Sequence, residues 1–299
     1  MNQIVTNKDA KIIYTRYQYK RLQTLMFPTI YIDKYWDYTI DLFNLKKDWE
    51  TFLDTFNKEF SSAKQYIEES NRVLNILYEN LFVPDISQKV DSYKVGEPKF
   101  KRTSQYELPD GEYWTIDLRY AENQVLKYLD LFKPNVTYDS VINDVTSSTL
   151  LRSSKMLRLA LYEMLHISKR SVLYYIYSVL LYNVLESPEL KDIINIKENV
   201  LGITGDCLYI TNNVDLSEGD FTINDIGVHI RKTVVKSIKY KNSIVKYTDK
   251  GGLTTFYKDT YNTISADEYL CVMKASKNQQ PNEIDLTVGF EEEIFYVMN

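Results

Sequence analysis

What most constrains the fold is a change of period near residue 199. Before it, apolar residues recur mostly at helical spacing; beyond it, short β-prone runs alternate with turn-forming pairs. From His229 to Lys250 the chain reads His-Ile-Arg-Lys-Thr-Val-Val-Lys-Ser-Ile-Lys-Tyr-Lys-Asn-Ser-Ile-Val-Lys-Tyr-Thr-Asp-Lys. Cations alternating with Ile, Val and Tyr suit an antiparallel strand with one face in the core and the other in water. Hairpin turns are predicted at Gly205-Asp206, Lys241-Asn242 and Gly251-Gly252, with closing strands at Asp285-Leu-Thr-Val-Gly289 and Glu293-Ile-Phe-Tyr-Val297. Helices first and strands after define an α+β chain, since a doubly wound sheet would alternate the two.

In the helical part, Trp49, Phe52, Leu53, Phe56, Phe60, Ala63, Tyr66, Ile67, Leu74 and Leu77 share one face of a helix predicted from about Leu45 to Leu81. Its expected partner is a helix around Tyr14 to Met26. Pro84, Gly96 and Pro98 bracket an irregular connection, so the boundaries are drawn at a helical region 1–92 and an α+β domain 93–299. In the second part a turn at Pro109-Asp110-Gly111 leads into a strand ending at Asp117-Leu118. A helix follows from about Tyr120 to Phe132, then an apolar helix pair over 149–186 with Ser168 as the cap between them.

Composition narrows the function classes. With 44% hydrophobic residues in 299, the chain can bury a large core. No apolar run approaches the ~20 residues of a membrane span, and Met1-Asn-Gln-Ile-Val-Thr-Asn-Lys8 lacks the pattern of a signal peptide. The expectation is a protein without a membrane partner, in the cytoplasm of its cell or of a phage host, or packaged in a virion. Cys207 and Cys271 form no metal-spaced pair, and two histidines, His166 and His229, cannot build a multi-histidine metal site. A net charge of −5 argues against coating nucleic acid with the whole surface. A local track remains open: Arg231, Lys232, Lys236, Lys239 and Lys241 read either as the wet face of a strand or as contacts to phosphates.

Two carboxylates stand out. Asp206 lies at the corner of Val200-Leu-Gly-Ile-Thr-Gly205-Asp206-Cys-Leu-Tyr-Ile-Thr211, where two β-prone runs meet, and Asp117 ends a strand that leads into a helix. Either can be an ordinary turn or surface residue. Together they are also what two-metal nucleotidyl transfer needs: carboxylates on adjacent strands holding Mg²⁺ or Mn²⁺. Such chemistry also needs a cation over the triphosphate, and Lys155 and Lys169, with Arg152 and Arg158 nearby, lie on the helices between the aspartates.

Here the sequence resembles a family. Asp117-Leu-Arg-Tyr-Ala-Glu122-Asn-Gln-Val125-Leu126-Lys-Tyr-Leu129 is similar to motif A of family-A DNA polymerases, D-Y-S-Q-I-E-L-R-V-L-A-H-L, with Asp, Glu, Val and two Leu in register. Lys169-Arg-Ser-Val-Leu173-Tyr-Tyr-Ile176-Tyr177-Ser178 resembles the family-A helix K-x3-F-x2-I-Y-G. Alternatively, Lys155-Met-Leu-Arg-Leu-Ala-Leu161-Tyr162 resembles the family-B pattern K-x3-N-S-x-Y-G. Gly205-Asp206-Cys207-Leu208 is similar to motif C, with Cys207 where family A carries Glu. The resemblance spans 117–211. It implies a palm-like antiparallel sheet with packed helices, Asp117 and Asp206 as metal ligands, and Glu122 as the screen for the nucleotide sugar. It also implies Lys155 with Tyr162, or Lys169, at the nucleotide, and a nucleic-acid primer or template as partner. Because complete polymerases are much longer, it points to a reduced enzyme, one subunit of a split polymerase, or a palm that no longer catalyses. The competing expectation is a non-enzymatic structural or interaction protein of a phage or virus, using tyrosines such as Tyr174, Tyr175, Tyr177 and Tyr182 for assembly.

Overall fold

Helices dominate the chain before residue 199 and strands dominate after it, apart from a strand at Gly111–Leu118 and a helix at Ala266–Ser276, and the fold is α+β. A computed structural model describes residues 7–17, 36–37, 40–41, 44–84, 86, 89, 92–164, 170–249, 254–258, 264, 266–281, 287–290 and 293–296. The helices are α1 (Asn7–Tyr17), α2 (Lys46–Glu59), α3 (Ala63–Leu81), α4 (Ala121–Tyr128), α5 (Tyr138–Val145), α6 (Thr149–Ser153), α7 (Lys155–Met164), α8 (Arg170–Leu185), α9 (Ile196–Asn199) and α10 (Ala266–Ser276). The strands are β1 (Gly111–Leu118), β2 (Val200–Thr204), β3 (Cys207–Thr211), β4 (Gly219–Ile223), β5 (Ile226–Tyr240), β6 (Ser243–Asp249), β7 (Thr254–Tyr257), β8 (Thr287–Phe290) and β9 (Glu293–Tyr296). Among the described residues no helix is long and apolar enough to cross a membrane. The chain forms two compact units, one of Met1–Phe82, Lys133–Leu161 and Ile264–Asn299, the other of Val83–Phe132 and Tyr162–Thr263.

In the first unit the helix expected over Leu45 to Leu81 is two helices. α2 stops at Phe60, whose backbone is extended, and α3 restarts behind Ser62. The Ser62 side chain accepts the Gln65 N–H at 3.1 Å, while the Gln65 side chain accepts from the Ser61 N–H and hydroxyl at 2.6 and 2.8 Å. Local side-chain bonds of this kind compete with helix continuation and make a good start signal. The apolar stripe survives the break because Phe56, Phe60 and Tyr66 stay in ring contact across it. α1 supplies the predicted packing partner as far as Tyr17, and residues 18–26 lie outside those described. Its Tyr14 ring meets Trp36, Trp49 and Phe52 edge-on, and its hydroxyl donates to Asp48 Oδ2 at 2.7 Å.

The second unit is built on a seven-stranded antiparallel sheet in the order β2-β3-β1-β5-β6-β7, with β4 also on β5. β1 lies inside it, paired with β3 and β5. Alternation divides its side chains. Trp114, Ile116 and Leu118 enter a core with Val172, Ile176 and Leu180 of α8. Tyr113 packs on the other face with Cys207, Tyr209, Val235 and Leu108. The predicted turns at Gly205-Asp206 and Lys241-Asn242 join β2–β3 and β5–β6. Gly251-Gly252 lies outside the described residues, between paired strands β6 and β7. A turn the sequence reading missed, Asn224-Asp225, joins β4 to β5 with φ of 49° and 60°, the positive pair a type I′ hairpin needs. The two closing strands pair as the β8–β9 hairpin.

Candidate active site

Register sets the site. Asp117, one residue from the end of β1, stands opposite Cys207 of β3 on one side and His229 of β5 on the other. Asp206 precedes Cys207 in the β2–β3 turn, where Gly205 takes φ +59°, a value that suits glycine at the first position of a two-residue hairpin turn. The Leu118 N–H donates to the Asp206 carbonyl at 3.0 Å, so the backbones of the two aspartates are locked side by side.

Their carboxylates meet different neighbours. Asp117 Oδ2 accepts from Arg231 Nη2 at 2.7 Å, with both side chains mostly buried (17% and 27% exposed). Opposed residues share a face, so Asp117, Thr115, Arg231 and Tyr209 project from the same side of the sheet. Burial above all, with Cys207, Tyr257 and Asp117 adding to it, pushes the Tyr209 phenol far above its ordinary range. Its hydroxyl is hydrogen-bonded by Gln105 Nε2. Asp206 acts instead on Tyr177 of α8, the helix on the other face. The Tyr177 phenol is pushed up by burial first, then by Tyr162, Asp206 and Glu122. Tyr162 is raised by burial and then by Glu122. Its buried hydroxyl has no well-formed hydrogen bond among the described residues, although the Tyr177 phenol stands close enough for each to affect the other's ionisation.

Glu122 reaches this cluster from the first turn of α4, which packs against α8. Tyr120, at the start of that helix, holds a left-handed backbone (φ 49°, ψ 50°) that is uncommon outside glycine and asparagine. The structure therefore gathers Asp206, Glu122, Tyr162 and Tyr177 in the second unit, with the Asp117 side chain on the Tyr209 face of the sheet. Lys155 begins α7 and belongs to the first unit. Lys169 lies outside the described residues. Within the first unit, Arg152 donates to the Thr146 and Asn143 carbonyls at 2.7 and 3.0 Å, and Arg158 lies over the Tyr138 ring.

The basic stretch is divided by the period of the strand. Arg231 and Lys239 project from the Asp117 face, Lys232 and Lys236 from the Trp114 face. Arg231 is held by Asp117, Lys232 lies 5.3 Å from the centre of the Trp114 ring, and Lys241 lies over Tyr240. Lys236 and Lys239 are exposed. Sequence reasoning missed the Arg231 ion pair and a neighbouring cluster. In the latter, His229 Nδ1 meets Asp220 Oδ1 at 2.7 Å and Arg119 Nη1 stands 3.5 Å from Asp220 Oδ2. Strand register alone creates both, and no spacing within the sequence signals it.

Two carboxylates are hard oxygen donors, and Mg²⁺ commonly takes one or two of them while water and phosphate complete its shell. At the Asp117–Asp206 junction the backbones are adjacent, but the Asp117 carboxylate is held by Arg231 and Asp206 lies against Tyr177. Among the described residues no three His, Cys, Asp or Glu side chains come together as a denser metal cage. Comparisons with protein families, with curated proteins and with solved structures find nothing that matches the chain.

Proposed function

We propose that the chain is a reduced or split template-directed nucleotidyltransferase of the cytoplasm, the palm portion of a polymerase. The observation that carries this reading is the hydrogen bond from Leu118 N–H to the Asp206 carbonyl, which joins the strand of Asp117 to the turn of Asp206. In this reading Asp117 and Asp206 hold Mg²⁺ or Mn²⁺. When bound, the metal activates the attacking hydroxyl and stabilises the leaving oxygen. Glu122, backed by Tyr162 and Tyr177, borders the nucleotide sugar. Lys236 and Lys239 contact primer or template phosphates.

A second reading, a structural or interaction protein, draws on the Arg231 pair, since Asp117 then serves as a partner that ties β1 to β5. One experiment separates the two: template-directed nucleotide incorporation with Mg²⁺ or Mn²⁺ by the wild-type chain and by Asp117→Ala and Asp206→Ala, alone and with lysate of the native host. Incorporation lost in either variant supports the enzyme. No incorporation in any condition, with both variants folded, supports the structural protein.

A further inference from the structure

We infer that Arg119 and Tyr120, at the junction of β1 and α4, form a contact for single-stranded nucleic acid, Tyr120 stacking on an unpaired base and Arg119 holding the adjoining phosphate. The inference deepens the proposed function and rests on it for the class of partner. Tyr120 takes φ 49° and ψ 50°, a left-handed backbone that disfavours a bulky residue and that glycine or asparagine would hold with less strain. Capping does not account for the tyrosine, because its side chain makes no capping hydrogen bond to α4. Core packing does not account for it either, because Tyr120 is 56% exposed while its neighbours Leu118 and Ala121 are buried. An exposed ring kept at a strained backbone position is a mark of a binding surface.

The guanidinium beside the ring is steered into place with donors to spare. The Arg119 N–H donates to the Gly227 carbonyl at 2.8 Å, which ties this corner to β5. A Cβ on Gly227 would lie 3.4 Å from the Arg119 Cβ, so glycine lets β5 pass close under the arginine. The Arg119 guanidinium carbon lies 5.7 Å from the centre of the Tyr120 ring, and Nη1 stands 3.5 Å from Asp220 Oδ2. Asp220 is itself held by His229 Nδ1 at 2.7 Å. The long Asp220 contact sets the direction of the guanidinium without taking up its N–H groups in short bonds, and the side chain makes no hydrogen bond among the described residues. Arg119, Asp220 and His229 are all open to solvent, at 37%, 53% and 38% exposure. A planar cation next to an exposed aromatic ring offers one group for phosphate and one for a base. A duplex hides the faces of its bases, so the ring selects an unpaired strand.

The test is fluorescence anisotropy of a labelled single-stranded oligonucleotide, and of a blunt duplex of the same sequence, titrated with the full chain, with pyrophosphate as competitor. Wild type is expected to bind the single strand more tightly than the duplex. Tyr120→Asn, which removes the ring and suits the left-handed backbone, should weaken single-strand binding about tenfold. Tyr120→Phe should retain it. Arg119→Gln should weaken it and flatten its salt slope by about 1. Because asparagine relieves the backbone, an unlowered melting temperature in Tyr120→Asn separates loss of the contact from loss of the fold. Single-strand binding that survives Tyr120→Asn and Arg119→Gln unchanged overturns the inference and leaves nucleic acid as the partner. Loss in Arg119→Gln alone, with pyrophosphate competing fully, overturns the stacking and reduces the site to one for phosphate. No binding of either oligonucleotide by wild type overturns the inference and the proposed nucleic-acid partner together.

Discussion

Gly202 and Gly205 stand three residues apart in β2 and its turn, yet they resist a side chain for different reasons. Gly202 has φ +145° and a Cβ there would lie 2.7 Å from the Lys101 carbonyl oxygen, whereas Gly205 has φ +59° with nothing within 4 Å. Gly202→Ala should therefore cost about 2–4 kcal/mol from strain plus overlap, and Gly205→Ala about 1–2 kcal/mol from the backbone alone. Urea denaturation of the two variants checks the order. The aspartates should differ in the same way. Asp117→Ala strands a largely buried guanidinium and should cost about 2–3 kcal/mol. Asp206→Ala, at a half-exposed turn, should cost less than about 1 kcal/mol. A similar loss for both in thermal melts would mean that Asp206 is as deeply engaged as Asp117. The aspartates themselves are readable in the sequence because a Gly-Asp corner and a strand-ending Asp are local features. Arg231 is not, since its partner is 114 residues away.

At the scale of elements, α2, α3, α5 and α6 are clasped by two glutamates. Glu59 accepts from the Ser148 hydroxyl at 2.6 Å and from the Thr149 and Leu150 N–H groups at 2.8 and 3.3 Å. Glu69 is held by Arg72, which also donates to the Val145 carbonyl. The hydrogen bond from Arg72, then its charge and the Thr146 hydroxyl, lower the Glu69 pKa against the opposing effect of burial. A lowered folded pKa contributes stability that is fully present above the unfolded value, about 4.3–4.5, and is lost as pH falls through the folded value. The stability deficit of Glu69→Gln should thus be complete near neutral pH and shrink steadily below about pH 4.5. Denaturant midpoints measured at several pH values would show it, and a deficit independent of pH would exclude the charge as its source. Glu59→Gln should cost about 1–2 kcal/mol by weakening the bonds to the start of α6. This clasp was illegible beforehand because its members are about ninety positions apart. The break at Ser61-Ser62 was legible in principle, as Ser62 with Gln65 three positions later is a capping pattern, but the unbroken apolar stripe across Phe60 hides it.

For the whole molecule, an acidic chain of net charge −5 can hold nucleic acid only through a local basic surface. The strand period splits the cations of β5 between two faces, and Arg231, Lys232 and Lys241 each already face a carboxylate or a ring. Nucleic-acid binding should accordingly be weakly salt-dependent, with log affinity falling against log salt with a slope of about −2 to −3. Titrations between low and moderate salt would measure it. Lys236→Gln with Lys239→Gln should flatten that slope by about 1–2, and an unchanged slope would place the nucleic acid elsewhere.

The sequence alone determined the class of fold, the positions of most strands and turns, and the placing of Asp117 near a strand end and Asp206 in a turn, because periodicity, turn residues and acidic corners are properties of neighbouring residues. The tertiary structure decided which residues stand beside them. Pairing β1 between β3 and β5 placed Cys207 and His229 beside Asp117, brought Arg231 onto its carboxylate, and set Asp206 against Tyr177 rather than Tyr209. Those juxtapositions depend on strand register, and a shift of one residue would exchange every face, so no local pattern could contain them.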